Sequence, residues 1–141
     1  MLGEKAPKGR APHRFTIPPN RHLAEEWVIP EDRPYASWNT IKTLKRSERF
    51  FRGGGPYAAA LKGSQSALGE AKTIRNAIAH ESASAHAKFE DLVRNKFGTF
   101  PPGTSVGAFL GLTVPGSSPP ESFLDYYLAR IDLVATQIVP F

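Results

Sequence analysis

SALGEAKTIRNAIAHESASAHAKFEDLVRNK, residues 66–96, is the stretch that decides the fold class. Ile74, Ile78, Ala85, Phe89 and Leu92 recur at steps of four, seven, four and three, a seam of heptad-like spacing. The spacing predicts one long helix from about Ser66 to Lys96, closed before Gly98. A second row, Ala79, Ala83 and Ala87, repeats at i,i+4 and is made of small residues, which let another backbone come close within a bundle or across a dimer.

Working upstream, a helix is expected from about Trp38 to Arg52, capped by Ser37 or Asn39 and stopped by Gly53-Gly54-Gly55-Pro56. Ile41, Leu44 and Phe51 fall on one side of it. Lys42, Lys45, Arg46, Arg49 and Arg52 fall within about one third of the circumference on another side, at about 100° per residue. The glycine run is not a phosphate-cradling loop, since no Gly-Lys-Ser/Thr follows it and no strand precedes it. Tyr57–Leu61 adds a turn or two of helix, ended by Gly63. Residues 1–34 hold six prolines and read as an extended arm, with one helical turn at Leu23–Val28 before Pro30.

Downstream, residues 98–120 form a long Pro/Gly-rich connection, of a length that implies either a function or packing as a unit. Val106–Leu110 is expected as a single apolar turn plugged into the core. Ser118-Pro119-Pro120-Glu121 reads as a capping box with proline in the first turn of a last helix. Phe123, Tyr127, Ile131, Val134 and Ile138 mark its buried face, and Pro140 ends it. No alternating strand pattern competes, so the class is all-α. The organisation expected is a Pro-rich arm, 1–34, and a helical domain, 35–141.

Composition is consistent with this. A chain of 141 residues with 40% hydrophobic content and nine Phe can bury one core. The absence of cysteine excludes a disulfide scaffold, a Cys-ligated zinc site and thiol catalysis. No apolar run reaches a membrane span, and the N-terminus lacks the apolar centre of a secretory signal, so a cytoplasmic protein is expected. The net charge of +5 is uneven: residues 40–96 carry eleven Lys/Arg against five acids, while residues 97–141 carry one against three. A positive middle third suits either a polyanion partner or an ordinary solvated face. An ordered stripe on the Trp38–Arg52 helix favours a phosphate backbone such as RNA.

The chemistry concentrates in Arg75-Asn76-Ala77-Ile78-Ala79-His80. On one long helix Asn76 and His80 share a face, nearly opposite the apolar seam, and the long Arg75 stem can reach the same place. Histidine both gives and takes protons near neutral pH, arginine clamps phosphate, and asparagine can hold either through its amide. These are the minimum parts of a metal-independent ribonuclease in which the ribose 2′-OH attacks the adjacent phosphorus. They are equally what an ordinary exposed helix face displays.

The segment RNAIAHESASAHAKFEDLVR resembles the Arg-x(4–6)-His motif helix of HEPN domains, in the form where a polar residue follows the arginine. Asn39-Thr40-Ile41-Lys42 before it, and Pro101–Gly103, Phe109-Leu110 and Ile138-Val139-Pro140 after it, are similar to the RiboL-PSP-HEPN branch. The resemblance covers about residues 35–140. The Pro-rich residues 1–34 do not resemble the long upstream helix of that family.

The resemblance implies a helical bundle that forms a homodimer through the motif helices, giving one composite RNA-cleaving cleft without metal or other cofactor. It implies His80 as general acid/base, Arg75 as the phosphate-stabilising group and Asn76 as the supporting polar residue. It further implies a role as a toxin or defence effector held in check by an antitoxin-like protein. A non-catalytic RNA-binding or assembly module on the same fold is the alternative.

Lesser candidates carry less. His86 and Glu90 are i,i+4, but two ligands are too few for a metal. Ser82 and Ser84 lack a neighbouring acid or oxyanion element. Trp38, Phe50 and Phe51 suit base stacking or packing, and Tyr126 and Tyr127 suit rim and core.

Overall fold

Asn20 opens the first ordered helix by accepting the Leu23 N–H on its side-chain oxygen at 2.9 Å, an N-cap bond. In the computed structural model of the protein, residues 16–28 and 40–139 are described. They form α1 (Arg21–Val28), α2 (Thr40–Phe50), a 3₁₀ turn (Arg52–Gly54), α3 (Gly55–Gly63), α4 (Gln65–Ala79), α5 (Ala83–Phe97), α6 (Val106–Gly111) and α7 (Phe123–Ile138). Among the described residues there is no strand beyond an isolated antiparallel bridge between Thr113 and Ser122. The class is all-α. The chain divides into two compact units, Met1–Gly63 and Ser64–Phe141.

In the first unit, α1 and α3 both pack on α2. The helical turn expected at Leu23–Val28 is present and begins two residues earlier. The expected caps Ser37 and Asn39, Trp38 and the rest of residues 1–15 and 29–39 lie outside the described residues. The glycine run does stop α2, and the reason is conformational. Gly53, Gly54 and Gly55 all have positive φ, and a Cβ on Gly54 would collide with the Ala58 Cβ. The close approach lets α3 fold back on α2, where Lys62 meets Glu48 at 2.9 Å and the Phe51 and Tyr57 rings lie 5.3 Å apart.

The buried side of α2 is rotated from the expected one. Of the expected side, Leu44 and Phe51 are half-buried but Ile41 is 51% exposed, while Arg46 and Ser47 are buried and Thr43 and Phe50 half-buried. The inward face is set by where α3 returns, and the methylene stem of Arg46 can lie along it as an aliphatic chain would.

In the second unit the largest correction concerns residues 66–96. They are two helices joined at His80–Ser82, not one. Lys96, near the end of α5, meets Glu70, near the start of α4, at 2.9 Å, so the two run antiparallel as a helical hairpin. A single helix of this length would leave Ile74, Ala77, Phe89, Leu92 and Val93 without partners along about 45 Å. Folding back buries these residues in one cluster. Ile78, expected in the seam, stands 65% exposed, and Ala79 is separated by the turn from Ala83 and Ala87, so the alanine row does not exist as a row.

The Pro/Gly connection supplies the centre of that core, as expected. Ser105 caps α6 by accepting the Ala108 N–H, and Phe109 is 0% exposed. Phe109 stacks on Phe123 at 4.5 Å between ring centres and meets Phe89 edge-on at 5.7 Å. The last helix starts later than the 118–121 box. Val114 donates to the Glu121 carbonyl and Phe123 to the Leu112 carbonyl, so this backbone closes a loop. The cap is Ser122, whose Oγ accepts the Asp125 N–H at 3.1 Å and donates to its carboxylate at 2.6 Å.

Phe123, Tyr127 and Val134 are buried and Tyr126 lies at the rim, but Ile131 is 45% exposed. At six residues, about 9 Å, α6 is too short to cover the full length of α7, about 24 Å. Tyr127 donates its hydroxyl to Glu70 at 2.9 Å. Burial, reinforced by the Glu70 carboxylate, pushes its phenol well above the usual range.

Two predictions follow from this packing. In urea titrations, Phe109→Ala lowers stability by about 3–5 kcal/mol, whereas Ile78→Ala changes it by less than about 0.5 kcal/mol. The second is pH-dependent. An unfolded tyrosine ionises near pH 10 while folded Tyr127 keeps its proton, so its contribution is full below about pH 10 and declines above it. Between pH 8 and pH 11 the wild type loses more stability than Tyr127→Phe.

Candidate active site at the α4–α5 turn

The last turn of α4 lifts Arg75 and Asn76 away from the core because their neighbours Ile74 and Ala77 are the inward residues of that turn. Arg75 is exposed and Asn76 half-buried. The Arg75 Nη1 donates to the Asn76 side-chain oxygen at 3.2 Å, so the amide steadies the guanidinium. His80 follows as the C-cap. Its backbone is extended, at φ −133° and ψ 118°, while its N–H still donates to the Asn76 carbonyl at 3.0 Å.

The chain then restarts. Ser82 takes an extended conformation and caps α5, its Oγ accepting the Ala85 N–H at 3.2 Å. A serine that can satisfy a free helix N–H competes with helix continuation, which is why the break falls here.

Arg75, Asn76 and His80 are therefore gathered at the tip of a helical hairpin, not along the side of a rod. The expected i,i+4 sharing of a helix face by Asn76 and His80 does not hold, because His80 has left the helix. The arrangement offers a guanidinium bonded to the neighbouring amide and an exposed imidazole five residues further along the chain, an anion contact and a proton-transfer group.

The basic set on α2 fares differently. Lys45, Arg49 and Arg52 are exposed and Lys42 is half-buried. Arg46, at 9% exposure, leaves the stripe because it lies on the buried side of α2. These five belong to the first unit and the trio to the second.

Lys72 is the residue that reading the sequence missed. It is exposed on α4 one turn before Arg75, and its signal was its spacing of three from the motif arginine on the side away from Ile74. Glu90, paired in sequence with His86, is held by Arg94 at 3.1 Å. Among the described residues no group of three or more His, Cys, Asp or Glu is placed to hold a metal. No helix among them is long and apolar enough to cross a membrane. Phe50 and Phe51 are half-buried.

Comparison with protein families, curated proteins and solved structures found no match to this chain.

The turn yields a prediction whose sign separates the two readings of residues 66–96. Inside one continuous helix, Ser82→Ala would stabilise by a few tenths of a kcal/mol through helix propensity. As the N-cap of α5, Ser82→Ala destabilises the protein by about 1 kcal/mol in urea titrations.

Proposed function

We propose that this chain is a metal-independent endoribonuclease of HEPN type, with Arg75, Asn76 and His80 as its working residues. The observation that carries the reading is that all three fall within the last five residues of α4 and its C-cap, with Arg75 and His80 open to solvent. Arg75 binds the scissile phosphate and the charge that grows on it, and Asn76 keeps the guanidinium in place through the 3.2 Å bond.

In the proposed reaction the ribose 2′-oxygen loses its proton to a base and bonds to phosphorus. The P–O5′ bond breaks, and the departing oxygen takes a proton from an acid. The products are a 2′,3′-cyclic phosphate and a 5′-hydroxyl, with no net change in electrons or water. Two imidazoles in opposite protonation states suit these two transfers. The proposed homodimer supplies one His80 from each copy.

The alternative, an RNA-binding or assembly module without catalysis, is favoured by one feature. The trio sits on an open tip, where water competes for the phosphate and weakens charge stabilisation.

Incubating the wild type and His80→Ala with mixed RNA in excess EDTA, followed by analysis of the new ends, tests the proposal. Cleavage with 5′-hydroxyl ends that falls by at least about 100-fold in His80→Ala is expected. Binding of RNA without cleavage by the wild type selects the module instead.

A further inference from the structure

Three cations of the second unit are engaged by neighbours. Arg94 is bonded to Glu90 at 3.1 Å and to Asp91 at 3.3 Å, Lys96 to Glu70 at 2.9 Å, and Arg130 lies over the Tyr126 ring at 5.2 Å. Among the described residues no carboxylate pairs with Lys72, Arg75 or Lys88, and all three are exposed; Lys72 and Arg75 stand together on α4, whereas Lys88 is on α5. Lys72 and Arg75 are three residues apart, so they are neighbours on the helix surface, separated by about 4.5 Å of rise. Ala79, the last residue of α4, continues the same outward face toward His80 without a bulky side chain in the way.

We infer that the outer face of α4 is a phosphate track, with Lys72 binding the backbone phosphate next to the one held by Arg75, and that its ligand is single-stranded RNA. The inference rests on the reading above for the role of Arg75. The spacing supports it, because side chains three residues apart on a helix start about 5–6 Å from one another, close to the step between successive phosphates of a single strand. The width supports it as well. A single row of cations one helix wide, about 10–12 Å, is matched to one backbone.

Lys72 is thus a positioning residue for substrate and not a member of the reacting set. Its removal weakens binding, raises KM and leaves kcat in place.

The test measures binding of the full-length protein to a fully 2′-O-methylated oligoribonucleotide, which cannot be cleaved, single-stranded and as a duplex, over a range of salt concentrations. For the single strand, Lys72→Gln is expected to reduce the slope of log K against log salt by about 0.7, the loss of one phosphate contact. Arg94→Gln, an equal change of charge outside the track, leaves the slope unaltered, and the duplex binds more weakly than the single strand.

An unaltered slope in Lys72→Gln, an equal reduction in Arg94→Gln, tighter binding of the duplex, or no binding by the wild type overturns the inference. The cleavage assay keeps the parent reading separate. Cleavage that depends on His80, with a slope indifferent to Lys72, sinks the track alone. A slope that responds to Lys72 without any cleavage by the wild type sinks the nuclease and leaves the track standing.

Discussion

Glu70 receives the Lys96 ammonium on one carboxylate oxygen and the Tyr127 hydroxyl on the other, each at 2.9 Å, and so ties α5 and α7 to α4. The group is mostly shielded from water, so its importance is geometric as much as energetic. A carboxylate placed there must be met by donors; Ser66 supplies a long one from α4 itself, and the two short ones come from other helices. With the far end of the hairpin held in this way, Ile74 and Ala77 face Phe89, Leu92 and Val93, and Phe109 and Phe123 close the cluster. The position of the tip, and with it the display of Arg75 and His80, follows from a constraint at the opposite end of α4.

The all-α class was legible because the apolar spacing of residues 66–96 and 123–138 admits no strand. Phe109 was legible for a related reason: an apolar turn within a Pro/Gly-rich stretch has few places to go except inward. The break at His80–Ser82 was hidden, because a seam that is continuous on one helix and a seam folded on itself have the same composition. Ser82 was visible as a polar residue near the motif, yet only the gain from burying α4 against α5 makes it a cap. The face of α2 was misread through Arg46, since charge predicts solvent while the position of α3 decides which side is covered. The start of α7 was misplaced by four residues because the loop bonds of Val114 and Phe123 are long-range in sequence and leave no local pattern.

The trio itself was named from residue types before its geometry was known, and the geometry alters how it would work. On a straight helix Asn76 would have steadied His80. At the hairpin tip it steadies Arg75, and the imidazole is positioned by the extended backbone of the cap. Lys72 escaped notice because a lysine on a helix is the commonest of surface residues. It acquires meaning from its place one turn before Arg75 on the outer face of α4, where no carboxylate among the described residues meets it.

At six residues, α6 is far below the length at which a helix persists on its own in water. It exists because Phe109 is enclosed on all sides and because the backbone bonds from Val114 to Glu121 and from Phe123 to Leu112 close the loop behind it. The segment between α5 and α7 therefore has no independent stability to lose by stages. The bonded amide protons of Phe109, Val114 and Phe123 exchange with solvent when the whole second unit opens, which makes them, within an irregular stretch, slow reporters of global unfolding.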